Sequence, residues 1–219
     1  MSIDISLYGH LTVDRIFERF TRTNSLGSIA NVWKSLITED PTLKIYISPT
    51  EIGEAIVYVD KNTSERFSKA SLSNHISKPI LLESKINHIL YLNELQDTSF
   101  ISQLEGINCA DICVGKRIDY SLLKYIDYLL ISDEDCLDPY EELRKHTRGK
   151  VIVHSSHGSH WGVEHYDLPI EKILKNVNVL GAGDMFAANF MIGLIEEKPL
   201  HEIIENAHLK TTERLHEKI

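Results

Sequence analysis

Cysteine is scarce in this chain. Only Cys109, Cys113 and Cys136 occur in 219 residues. An odd number with no repeated spacing excludes a disulfide framework, and no Cys/His cluster completes a metal site around them. The three read as buried or half-buried thiols. A surplus of positive charge is also missing. With 23 Lys and Arg against 32 Asp and Glu, the formal charge is -9. A polyphosphate backbone would be repelled, so no nucleic-acid partner is expected. Long apolar runs are absent too. Nothing approaches the roughly 20 residues of a membrane span, and the acidic start MSIDISLYGHLTVDRI does not read as a secretory signal. No membrane partner and a cytoplasmic location are expected. There is no internal repeat, low-complexity tract or evident linker, so one domain spanning 1-219 is expected.

What is present is ordinary globular material, 42% hydrophobic and 25% charged, enough to build a sizeable core. Short apolar runs recur as candidate buried strands: ISLYG (5–9), LKIYIS (43–48), EAIVYVD (54–60), HILYLN (88–93), ADICVG (110–115), DYLLIS (127–132) and KVIVHS (150–155). Helical spacing of apolar positions shows in NVWKSLI (31–37) and PYEELRKHT (139–147). From His88 onward strand and helix alternate. That order implies βαβ units, hence an α/β fold with a mostly parallel sheet and helices on its faces. Residues 43–71 differ: strand-like runs are split by Pro49, Gly53 and DKNTSE with no helix between them. They predict a small antiparallel hairpin inserted in the α/β body. His154, His157 and His160 fall at i, i+3, i+6, but across a strand and a turn, where that spacing does not favour a metal site.

The stretch NVNVLGAGDMFAANFMIGLIEE (176–197) carries the most chemistry. Val179 and Leu180 lead into Gly181-Ala182-Gly183. Met185, Phe186, Phe190, Met191, Leu194 and Ile195 then follow at helical spacing. The small residues therefore sit at a helix N-terminus. Its first N–H groups lack intrahelical partners and the dipole adds partial positive charge. Small side chains let a ligand approach the backbone closely. Such a turn suits a phosphoryl group. Asp184 stands beside it, where a carboxylate could take the proton of a hydroxyl attacking that group. A bland alternative is that Asp184 only charges the helix start and the glycines only allow tight packing.

GAGD followed by MFAANFM resembles the signature of the ribokinase-like (PfkB) carbohydrate kinases. The resemblance implies Asp184 as catalytic base, with Gly181, Ala182 and Gly183 as the anion hole. Other segments resemble that family in order along nearly the whole chain. LYGHLTVDRI is similar to its first strand, implying that Asp14 contacts the sugar. SLGSIANVWKSL is similar to its Gly-Gly-x-x-Ala-Asn segment, implying sugar contacts at Gly27 and Asn31. PTEIGEAIVYVDKNTSERF is similar to its lid hairpin. YIDYLLISDEDC is similar to the strand ending in Asn-x-x-Glu, implying that Glu134 and Asp135 organise magnesium. VIVHSSHGSHWGV is similar to the turn near the nucleotide, implying cofactor contacts at Gly158 and, from the signature, at Asn178.

The implied fold is ribokinase-like, a mostly parallel sheet with helices on both faces and a small β lid at about 43-71. The implied activity is ATP- and Mg2+-dependent phosphorylation of a sugar, nucleoside or similar small molecule. Family members often dimerise through the lid, so a homodimer is implied as well. The chain departs from the pattern in places. Asn178-Val179 replaces Asp-Thr, Ser132-Asp133-Glu134-Asp135 replaces Asn-x-x-Glu, and Leu26 replaces the first glycine. Asn189 replaces a glycine in the signature helix. The chain is also short for the family, lacking an α/β unit before the hairpin and one or two helices that help wall the adenine site. These departures point to an alternative, a catalytically weak relative that binds a sugar or nucleotide in a regulatory role.

Overall fold

The computed structural model describes residues 2–60, 65–73, 78–113, 116–135, 137–175 and 177–217. Cys136 lies outside the described residues. Antiparallel strands frame a run of parallel ones. β1 (Ile3–Glu18), β3 (Ile45–Asp60), β5 (Ser84–Leu90), β6 (Ile107–Asp111), β7 (Tyr128–Ser132) and β8 (Lys150–Ser155) are mutually parallel where they pair. β9 (Gly158–Trp161) and β10 (Glu164–Asp167) extend one side antiparallel, and β4 (Glu65–Leu72) extends the other. The order is β10-β9-β8-β7-β6-β5-β1-β3-β4, with β2 (Thr21–Ser28) paired to the far half of β1.

Alternate residues of each central strand feed two cores, as a sheet covered on both faces requires. Leu129, Ile131, Val151 and Val153 pack toward α2 (Tyr120–Leu123) and α3 (Tyr140–His146). Ile5, Leu7, Leu130 and Ile152 pack the other way. They meet α1 (Ile29–Glu39), α4 (Ala182–Ile195) and α5 (Leu200–His216). The expected α/β architecture with helices on both faces is what the chain forms. α4 is buried nearly all round because α1 and α5 flank it. Asp184 is held by that packing rather than by a mobile loop.

The hairpin expected at 43–71 needs correction. Pro49 and Gly53 do not split it; β3 runs unbroken for 16 residues. Its first part, from Ile45 to Pro49, pairs with β1 in the central sheet, and only Gly53 to Asp60 pairs antiparallel with β4. The register shifts at Gly9/His10, where β1 and β3 leave the sheet together. That bulge absorbs the irregularity at Pro49. Gly53 is small for a reason: a Cβ there would strike the backbone of Ser71 on β4. The lid is therefore four strands, β2-β1-β3-β4, assembled from the far halves of β1 and β3 plus two shorter strands. Residues 61–64, between β3 and β4, lie outside the described residues.

At the hinge a buried cluster ties the two parts. The Glu51 carboxylate is fully buried and accepts from the Gln96 N–H (3.0 Å) and the Thr50 hydroxyl. The His10 ring nitrogen lies 3.3 Å away. Burial opposes ionisation of Glu51, but these contacts outweigh it and hold its carboxyl below the usual range.

Candidate active site

Gly181 takes φ +79°, the left-handed region, and ends the loop that precedes α4. Only glycine adopts that conformation without strain. The chain then turns directly into the helix. The Ala182 N–H donates to Val179 O (3.0 Å) and the Met185 N–H to Gly181 O (2.9 Å). The Gly183 N–H has no backbone acceptor among the described residues. The expected anion hole is thus narrower than three open amides, since the Ala182 amide is already engaged. Asp184 follows, 8% exposed, and its Oδ2 accepts from Asn31 Nδ2 at 3.1 Å. Residues 153 positions apart meet here because α1 and α4 lie side by side on the same sheet face.

Two cavities flank this turn. The larger, about 1150 Å³, is bounded by the ends of β6, β7 and β8, the loop before α4, and α5. Ala182, Gly183 and Asp184 line it, and so do Glu134 and Asp135. The smaller, about 550 Å³, lies between α1, the lid and the end of α5. It is lined by Asp14, Asn31, Asn178 and Gly181, with Lys34 and Arg214 among its cations. The GAGD turn is the wall between them: Gly183 and Asp184 face one side, Gly181 the other. Leu180, just before it, packs under the lid against Ile16, Ala55, Val57 and Val59.

Other expected site residues take more limited places. Gly27 lines neither cavity. A Cβ at 27 would fall on the Asp14 carboxylate, so this glycine makes room for Asp14. Asp14 is 7% exposed and its Oδ1 accepts from the Thr12 hydroxyl at 2.6 Å. Burial raises its pKa, against the hydrogen bond from Thr12 and the nearby Lys34 charge. Gly158 also lines neither cavity; a Cβ there would strike Tyr166 on β10. Ser155, Ser156 and His157, just before it, do line the larger cleft. Asn178 is on the smaller cavity's side, and its Oδ1 accepts from the Leu180 N–H (2.9 Å), shaping the loop.

Sequence reasoning missed two groups in the cleft. His154, at the end of β8, stacks on Phe186 with ring centroids 4.6 Å apart. His208 on α5 also packs against Phe186, with ring centroids 4.9 Å apart, and hydrogen-bonds Ser159 (2.7 Å between Nε2 and Oγ). Burial pushes the His208 pKa down to about 4, so it is neutral at physiological pH. His157 is on the exposed turn, and His160 packs against Tyr140. The i, i+3, i+6 pattern thus scatters over three environments. No cluster of three His, Cys, Asp or Glu positioned for a metal occurs among the described residues.

No family model matches the chain. No curated protein matches it either. Solved structures do. A ribokinase from Thermotoga maritima superposes with a TM-score of 0.73 at 18% identity, covering 97% of this chain and 93% of that one. A ribokinase from Arabidopsis thaliana complexed with ribose and ATP gives 0.66 at 16%, covering 99% and 93%. A pyrophosphate-dependent kinase in the ribokinase family, in a sulfate complex, gives 0.65 at 14%, covering 97% and 95%. The chain has the ribokinase fold.

Proposed function

We propose that this ribokinase-fold chain is an ATP-dependent kinase that phosphorylates a hydroxyl of a sugar or sugar-like small molecule. The observation that carries the reading is the position of Asp184. Its buried carboxylate stands in the wall between two cavities, next to the open Gly183 amide and bonded to Asn31. The solved relatives sharing the fold include a ribokinase seen with ribose and ATP, which agrees with that reading.

In this reading the larger cavity takes the phosphate donor and the smaller takes the acceptor. Asp184 removes the proton of the attacking hydroxyl. The acceptor oxygen bonds the γ-phosphorus as the bond to the leaving diphosphate breaks. The Gly183 N–H and the α4 dipole face the charge that spreads over the phosphoryl oxygens. Asp14 and Asn31 hold acceptor hydroxyls, and Gly27 keeps the space Asp14 occupies. Glu134 and Asp135 are hard oxygen donors on the donor side. Among the described residues no group of three such ligands is positioned for a metal, and two carboxylates fit a Mg2+ ion that arrives with its nucleotide and keeps most of its water. That ion would neutralise phosphate charge.

The same reading carries a cytoplasmic enzyme and a homodimer formed through the lid. Val13, Leu26, Ile52 and Ile56 are exposed apolar residues at lid positions that alternate with Thr12 and Asp14. An apolar lid face of that kind suits a self-complementary contact.

The test is product formation from ATP, and separately from pyrophosphate, against a panel of sugars, cyclitols and nucleosides. Phosphorylated product with ATP supports the reading. Product with pyrophosphate alone corrects the donor. Saturable binding of a panel member with no product from either donor favours the second reading, a binding protein with weak catalysis. The engagement of the Ala182 amide and the lost charge at Asn178 speak for that second reading.

A further inference from the structure

We infer that the acceptor is an acidic sugar, a polyhydroxy compound whose carboxylate or phosphate is bound by Lys34. This rests on the kinase reading above, with the smaller cavity as the acceptor's. Along α1 that cavity is lined by Asn31, Lys34, Ser35 and Thr38, whose i, i+3, i+4, i+7 spacing puts them on one helix face. No aromatic side chain is among the described residues lining it, so a nucleobase would find no ring to stack on. Lys34 is held in place without being neutralised. Its Nζ donates to Ser25 Oγ (2.8 Å) and to Leu26 O (3.0 Å), both on β2. Neither acceptor carries a charge, and neither needs one from its donor. An ammonium has three donors, so one is left. Holding a lysine in one geometry costs rotamer entropy, which a side chain waving in solvent would not give up.

The other charges around the cavity are spent on one another. Arg214 meets Glu39 (2.8 Å) and Glu217 (3.1 Å), and Lys210 adds a second cation to Glu39 (3.5 Å). Asp14 senses the Lys34 charge but is bonded to Thr12 instead, at 2.6 Å. Lys34 forms no ion pair among the described residues. One ammonium and one carboxylate are therefore left for a ligand. Asn189 adds an acceptor. It is 9% exposed and lines the same cavity. Its Nδ2 donates to Met185 O (2.9 Å), a bond that only the amide nitrogen can make, so Oδ1 is the atom left over. That oxygen accepts no hydrogen bond among the described residues. Asp14 and Asn189 thus call for hydroxyl donors, and Lys34 calls for an anion. A hydroxylated acid supplies both, and a neutral sugar leaves Lys34 unanswered.

The experiment measures calorimetric binding and turnover with two matched pairs, D-gluconate against D-glucose and D-ribose 5-phosphate against D-ribose. Wild type is expected to bind the acid of at least one pair about 10-fold or more tighter than its neutral partner. The pair that shows this tells carboxylate from phosphate. Lys34→Met should weaken binding of that acid about 10-fold and leave the neutral partner within about 3-fold, and Lys34→Arg should recover part of the loss. Asn189→Leu should weaken acid and neutral partner alike, because it removes a hydroxyl contact. Neutral partners bound as tightly as their acids in both pairs overturn the inference, as does no binding of either acid. So does a folded Lys34→Met chain that keeps the acid preference. If an acid binds with this dependence on Lys34 but no phosphorylated product forms, the kinase reading fails and the anion site stands.

Discussion

The two halves of β1 make opposite use of the same extended backbone. From Ile3 to Gly9 the strand lies between β3 and β5, and Ile5, Leu7 and Tyr8 have no exposed surface. From His10 to Glu18 it lies between β3 and β2, with one face carrying Thr12 and Asp14 toward the site and the other carrying Val13 outward. The first half is specified by packing and the second by chemistry. The junction is a bulge at Gly9, held by the Glu51 cluster. A difference of this kind predicts that changes before the junction are felt in stability and changes after it in binding.

The junction itself should give the largest effect. Gly9 has φ +141°, and a Cβ there would lie 2.6 Å from Leu90 O. Gly9→Ala is expected to cost about 2–4 kcal/mol in chemical denaturation, lowering Tm and activity together. A loss below about 1 kcal/mol would break the comparison at its hinge.

The central sheet should also betray itself in acid. His88 on β5 is fully buried between its cross-strand partners Leu7 and Cys109, and neither ring nitrogen has a partner among the described residues. Burial pushes its pKa down to about 3. The unfolded chain, with an ordinary imidazole near pKa 6.5, binds a proton that the folded chain refuses. Stability is therefore full above about pH 6.5 and falls as pH drops toward 3, by on the order of 3 kcal/mol at pH 4. His208 adds the same sign over a narrower window, down to its pKa of about 4. His88→Leu should flatten the slope of unfolding free energy against pH, and an unchanged slope would show that His88 is not its source.

In the lid half the sign of the comparison reverses. Asp14→Ala should raise the acceptor KM about 10- to 50-fold, roughly 1.5–2.5 kcal/mol of lost charge-assisted hydrogen bonding. Donor KM and chemical stability should hardly move. Equal damage to donor KM would mean that the two cavities do not divide the substrates. Smallest of all, Ile52→Glu on the outer lid face should leave the unfolding free energy within about 0.5 kcal/mol while shifting sedimentation from dimer to monomer. A wild-type chain already monomeric at micromolar concentration would remove the dimer from the account.

Periodicity made the sheet half legible, because buried parallel strands leave short apolar runs and helices leave 3.6-residue spacing. The lid was legible only in part. Pro49 and Gly53 read as breaks, yet one is absorbed by a bulge and the other permits close approach of β4, which no local pattern reveals. In the site, the step from loop to helix at Gly181-Ala182-Gly183 and the place of Asp184 in the first turn followed from the sequence; the left-handed conformation of Gly181 did not. At Gly27 and Gly158 the structure shows a use that the sequence did not, since each makes room for a neighbour. A glycine that makes room for a neighbour looks, in sequence, like one that meets a ligand. His154 was passed over because its companions 157 and 160 suggested a cluster that the strand and turn pull apart.

Single-turnover phosphoryl transfer by Asp184→Asn, with calorimetric binding of donor and acceptor measured beside it, tests the central claim most directly. With Asp184 as the base in the wall between two substrates, both dissociation constants should stay within about 3-fold of wild type while transfer falls by about 10³-fold or more. Transfer within 10-fold of wild type would contradict it.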